Sequence, residues 1–135
     1  MIEELKKFFE RYDEVKLAYL FGSYAKGETN KLSDIDIAVY LDERLSKKNK
    51  FRLQLKLISE LSSLLKTDKI DLIIMNEAPL LLKYNIIKDG TILKSEEKLR
   101  VKIESEVVSK YLDRKYYDDR HVREKIKRIA RYGLA

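Results

Sequence analysis

The chain has 135 residues, 44% of them apolar and 39% charged, with one proline and no cysteine. That length and apolar share suit a single domain with its own core, and the missing cysteines exclude a disulfide framework and a zinc finger. The net charge is +6 but uneven: from Ser109 onward nine basic and four acidic residues leave +5, so the body is near neutral and the tail carries the excess. There is no leader-like segment and no apolar run approaching about twenty residues, which predicts a cytoplasmic protein that does not engage a membrane.

Ile2 to Arg11 is predicted as an amphipathic helix, because Ile2, Leu5, Phe8 and Phe9 recur at helical spacing with Glu3, Glu4, Lys6 and Lys7 outward. Val15 to Phe21 reads as a strand ending at the turn Gly22-Ser23, and a short helix capped by Ser23 is expected next. The loop GETNKLS leads into a second strand, Asp34 to Leu41, whose apolar members suit an interior position. Lys47 to Leu65 is the longest clear helix of the body, with Phe51, Leu55, Ile58, Leu61, Leu64 and Leu65 as its expected buried stripe.

Thr67-Asp68-Lys69 turns the chain into a third strand, Ile70 to Met75, with Asp71 among apolar neighbours. Pro79 opens a helix through Leu80 to Ile87. Asp89-Gly90 is a turn, and Thr91 to Leu93 a short strand. Glu96 to about Leu112 reads as a helix; the charged, tyrosine-rich end is expected to hold a separate last helix, Val122 to Tyr132. The order of elements predicts an α/β (α+β) domain with a small mixed sheet flanked by helices. Residues 1–108 form its body, and residues 109–135 form a basic helical tail, part of the same domain or a partner-docking extension.

Chemistry concentrates between Phe21 and Leu41. In a strand, residues two apart share a face, so Asp34 and Asp36 project together while Ile35 and Ile37 enter the core. Paired carboxylates repel unless a cation or proton lies between them. Mg²⁺ commonly takes one or two carboxylates together with substrate phosphates. Gly22 permits close backbone approach, and the Ser23 hydroxyl with nearby N–H groups suits phosphate oxygens. Alone, a Gly-Ser pair is a common turn and an Asp-x-Asp a common loop element; the spacing between the two, ending in an apolar strand, makes the combination specific.

Gly22-Ser23, followed at about ten residues by Asp34-Ile35-Asp36, with Ala25, Gly27 and Ser33 around them, resembles the active-site signature of the nucleotidyltransferase superfamily related to DNA polymerase beta. The small size resembles further the minimal nucleotidyltransferases that act as antitoxins beside HEPN-domain toxins. The resemblance implies a polymerase-beta-like palm with a third carboxylate on the strand after the long helix, where Asp71 stands. It implies a catalytic, metal-binding trio of Asp34, Asp36 and Asp71 holding two Mg²⁺ ions. Gly22, Ser23 and Ser33 would be nucleotide-binding residues, with ATP as donor and a tyrosine of a HEPN RNase toxin as acceptor. Against this stand plainer readings: Asp71 as a solvent-facing strand end, and Ser33 as a turn hydroxyl. A non-catalytic antitoxin that binds its toxin through the basic tail is an alternative, as is transfer to a small molecule such as an aminoglycoside. Direct nucleic-acid binding by the tail is not favoured, and self-association is left open. His121, the single histidine, is read as exposed and non-catalytic.

Overall fold

The computed structural model describes residues 1–22 and 34–132. Four strands, β1 (Val15–Phe21), β2 (Ile35–Leu41), β3 (Ile70–Ile74) and β4 (Thr91–Lys94), form one sheet in the order β3-β2-β1-β4. Among the described residues the α-helices are α1 (Ile2–Glu10), α2 (Lys47–Leu65), α3 (Leu80–Asp89) and α4 (Glu97–Tyr132), with a 3-10 turn at Met75–Glu77. β1 runs antiparallel to β2 and to β4, while β2 and β3 are parallel, so the sheet is mixed as expected. A parallel pair needs a crossover of a dozen or more residues, and α2 supplies it. The short helix expected after Ser23 lies outside the described residues. Among the described residues no helix is long and apolar enough to cross a membrane.

Strand alternation divides the core into two layers. Val15, Ile35, Ile37, Val39 and Leu41 face α1 and α2, where they meet Leu5, Phe8, Phe9, Leu57 and Leu61. Leu17, Tyr19 and Ala38 face the other way, toward Met75 and Ile86, with Ile103 of α4 packed against them. Two polar side chains finish the sheet ends. The Asn76 carboxamide accepts from Leu41 N–H at 2.9 Å and donates to Leu41 C=O at 2.8 Å, behaving as one more residue of β3. Lys94 Nζ donates to the carbonyls of Phe9 and Tyr12, which binds β4 to the end of α1.

Two helices differ from the sequence expectation. In α2 the docked face is turned about one residue from the predicted stripe: Leu57 and Leu61 are fully buried, Leu53, Ile58 and Leu65 pack at their side, while Phe51 and Leu55 are 57% and 52% exposed and Leu64 is exposed as well. The apolar residues of the helix spread over an arc of about 200°, wider than the docked face, so periodicity leaves its exact orientation undecided. Gln54, which donates to Leu72 C=O at 2.8 Å, and Lys50, whose Nζ reaches Glu43, lie on the docked side. The second difference is α4. It runs unbroken for 36 residues, where the sequence suggested an interruption between Leu112 and Val122. No glycine or proline interrupts it, and local helix propensity carries it past the point where its packing stripe ends.

Candidate functional site

The site is built where β1 ends and β2 begins. Phe21, the last residue of β1, pairs with Asp36, the second residue of β2. On its other side Asp36 pairs in parallel register with Asp71 of β3. Directly paired residues project to the same face of a sheet, so the two carboxylates are neighbours across the strands. Asp34 precedes β2 and is exposed, as is Asp71, while Asp36 is half-buried. The Ile35 N–H donates to Lys69 C=O at 2.8 Å, which holds the start of β2 against β3 and fixes this register.

Gly22 follows Phe21 with φ at +71°, a left-handed conformation open to glycine. A Cβ built on it would stand 2.2 Å from Asp36 Oδ2. The glycine backbone therefore lies against the carboxylate itself. The sequence suggested that a glycine here permits phosphate approach; the structure adds that a side chain here would displace the Asp36 carboxylate.

Electrostatics agree with that crowding. The Asp36 carboxyl is pushed above the ordinary aspartate value, first by burial, then by the negative charge of Asp71, then by that of Asp34. All three carboxylates thus share one field, and a positive charge at their centre would relieve it. The donor set is oxygen only, which suits a hard divalent cation such as Mg²⁺ rather than a thiolate-seeking metal. Among the described residues no three acidic or histidine groups are drawn together tightly enough to cage an ion. The donors therefore fit such a cation by their chemistry and by the strand register that makes Asp36 and Asp71 neighbours. Ser23 and Ser33, expected to bind nucleotide, lie outside the described residues.

The carboxylates sit on the same sheet face as α3 and α4. Asp36 shares that face with Ala38 and Tyr40, and the distance from Asp36 to Tyr40 along the strand is about 13 Å. Helix α4 crosses this face away from the carboxylates. Tyr19 O–H donates to Glu104 at 2.8 Å, Arg100 in turn donates to Glu104 at 3.1 Å, and further on Val107 and Lys110 line a cleft with Tyr40 and Asn76. This polar chain through Tyr19, Glu104 and Arg100 was not anticipated; residues 85 positions apart carry no local signal of their pairing.

The sequence profile described as polymerase beta, nucleotidyltransferase, matches residues 3–99. Protein adenylyltransferase MntA of Shewanella oneidensis is 33% identical over 86 residues, covering 64% of this chain and 58% of that protein. The match therefore spans less than two thirds of that relative's length. A chain of a toxin–antitoxin complex crystallised with AMP-PNP has a TM-score of 0.71 at 23% identity, covering 93% of this chain and 98% of its own. A chain from the complex of a tri-AMPylated Shewanella oneidensis HEPN toxin with its MNT antitoxin has a TM-score of 0.65 at 21% identity, covering 93% and 99%. At these identities the structural matches speak for the fold.

Proposed function

Because the chain belongs to the polymerase-beta nucleotidyltransferase family, we propose that it transfers AMP from ATP to a hydroxyl of a partner protein, a tyrosine of a HEPN RNase toxin, and so acts as that toxin's antitoxin. The observation that carries the reading is the contact of Gly22 with Asp36 and the register of Asp36 with Asp71. A phosphate-approach turn and two carboxylates meet there at one strand end. The MntA relative is an adenylyltransferase by name, and a related fold occurs in complexes with an ATP analogue and with an AMPylated toxin, which supports ATP as donor and a protein as acceptor.

In this reading Gly22 offers its backbone to the β- and γ-phosphates, and Ser23 and Ser33 are assigned to bind the nucleotide with it. The α-phosphate is left facing the acceptor. The tyrosine oxygen forms a bond to the α-phosphorus, the bond from that phosphorus to the bridging oxygen breaks, and pyrophosphate leaves. Asp71, at the exposed side of the site, accepts the tyrosine proton. Asp34, Asp36 and Asp71 are the residues that would hold Mg²⁺, which when bound neutralises the triphosphate and acidifies the acceptor hydroxyl. The added AMP places bulk and negative charge on the toxin, which blocks its RNase site. ATP supply places the reaction in the cytoplasm.

The test combines the full chain, α-labelled ATP, Mg²⁺ and the HEPN RNase expected as the product of the neighbouring gene. Label is expected on the RNase with wild type and not with Asp36→Asn. Tight binding without label would replace this reading with a non-catalytic antitoxin, and label on an added aminoglycoside would replace it with a small-molecule transferase.

A further inference from the structure

Tyr111 is the last residue of α4 that the body holds; its ring stacks on Tyr84 with centroids 3.7 Å apart. Every residue from 112 to 131 is exposed, so a helical arm of about 30 Å stands free of the body. Leu112, Tyr116, Val122, Ile126 and Ile129 along it are 48–69% exposed. At 100° per residue these five fall within an arc of about 140° along one side of the arm, where Lys115, Asp119 and Arg123 lie among them. Exposed apolar side chains gathered along one side of a helix mark an interaction surface. At the root of the arm a notch of about 320 Å³ opens between Leu80 and Leu81 of the first turn of α3 and Tyr111, Arg114, Lys115, Asp118 and Asp119 of α4.

Charge selects the occupant. Residues 120–131 hold six basic residues and one acidic residue, Glu124. Two such arms repel each other, which disfavours a second copy of this chain. A nucleic acid would take the basic side chains but leave Val122, Ile126 and Ile129 in water. A lipid surface would have to receive Asp119, which lies inside the apolar arc. A protein groove can cover the isoleucines, pair Asp119 and answer the basic flanks with carboxylates at its rim.

We infer that the arm docks a protein whose apolar groove is rimmed by acidic side chains, the helix-in-groove mode of recognition, and that the notch receives a side chain of the same partner. Taking this partner to be the acceptor rests on the function proposed above. The arm leaves the sheet beyond Tyr40 and Asn76, at the end of β2 opposite the carboxylates. Docking and transfer are thus served by separate residues.

The experiment uses the full chain and the same HEPN RNase at physiological salt, with the double variant Ile126→Glu, Ile129→Glu and the single variant Asp36→Asn. Both isoleucines are exposed, so the double variant should keep the wild-type melting curve. Its Kd for the RNase should rise about tenfold or more, as for loss of a central apolar anchor, with KM rising in step and kcat unchanged. Asp36→Asn should bind as wild type. Unchanged binding by the double variant overturns the inference, as does failure of the wild type to bind the RNase. So does sedimentation of the free wild type as a dimer that the double variant dissociates. Binding of a short single-stranded RNA or of phosphatidylserine vesicles that the isoleucine substitutions abolish, with RNase binding intact, does the same. Arm-dependent binding without label on the RNase would instead refute the transfer reading and leave the docking arm standing.

Discussion

Replacing Gly22 by alanine tests the contact on which the site depends. Two separate penalties follow from the structure. The first is conformational: at φ +71° an L side chain meets the neighbouring carbonyl, at about 1–2 kcal/mol. The second is steric. The new Cβ would lie 2.2 Å from Asp36 Oδ2 and 3.2 Å from its Cγ, whereas ordinary contact begins at 3.4 Å. The carboxylate has to retreat by about 1 Å, and it can do so by turning its own torsions, because the obstructing atom ends a side chain rather than belonging to the backbone. Stability should therefore fall only by the conformational part, about 1–2 kcal/mol, or roughly 3–6 °C in melting temperature for a domain of this size. Activity should fall much further, since displacing a reacting group by about 1 Å removes on the order of 10²-fold in rate. Circular-dichroism melting reads the first effect and kcat for AMP transfer reads the second. A Gly22→Ala protein with wild-type kcat would show that Asp36 has no need of its present position, and the account of the site would fail.

Asp36→Asn should abolish transfer and stabilise the fold at neutral pH. The native carboxyl titrates above its unfolded value, so its favourable contribution is complete below the ordinary aspartate range and is lost as pH rises through the native pKa. The stability gap between variant and wild type should thus widen from acid to neutral pH in urea titrations; a gap independent of pH would remove the crowding argument. Asp71→Ala removes the neighbouring charge that acts more strongly on Asp36 and should lower the Asp36 pKa, while the upward push of burial stays, as followed by carboxyl carbon NMR. Tyr19→Phe deletes a 2.8 Å hydrogen bond from a side chain that is almost fully buried, and denaturant unfolding should register a loss of about 1 kcal/mol. Lys94→Met leaves the Phe9 and Tyr12 carbonyls without their shared donor and should destabilise by about 1–3 kcal/mol, with faster amide exchange at the end of α1; unchanged exchange there would mean that the ammonium is not holding that helix end.

The local chemistry of the chain settled a good deal. Alternating and continuous apolar runs delimited β1 at Val15–Phe21 and placed β2, β3 and β4 within a residue of their observed bounds. Ser46 accepting from Asn49 N–H starts α2 where its pattern begins, at Lys47. The Gly-Ser and Asp-x-Asp spacing, through its resemblance to the nucleotidyltransferase signature, suggested Gly22 and Asp36 as neighbours, and the antiparallel pairing of β1 with β2 brings them into contact. Each of these features depends on residues close in sequence, where period and turn chemistry act directly.

Other features required the assembled sheet. Which side of α2 docks was decided by β2 and β3, because Phe51, Leu55, Leu57 and Leu61 are equally apolar and only the sheet distinguishes Leu57 from Phe51. The continuity of α4 through Asp113 to His121 is set by unbroken local propensity, while its exposure beyond Tyr111 exists only because the body ends there. Asp71, which the resemblance had implied, stands beside Asp36 through the parallel register of β3 with β2, and the Gly22 backbone meets Asp36 through the turn of one φ angle. Periodicity along a chain reports which faces a segment owns. The choice among them, and the meeting of charges 35 residues apart, comes from burial and repulsion that act only once the strands lie side by side.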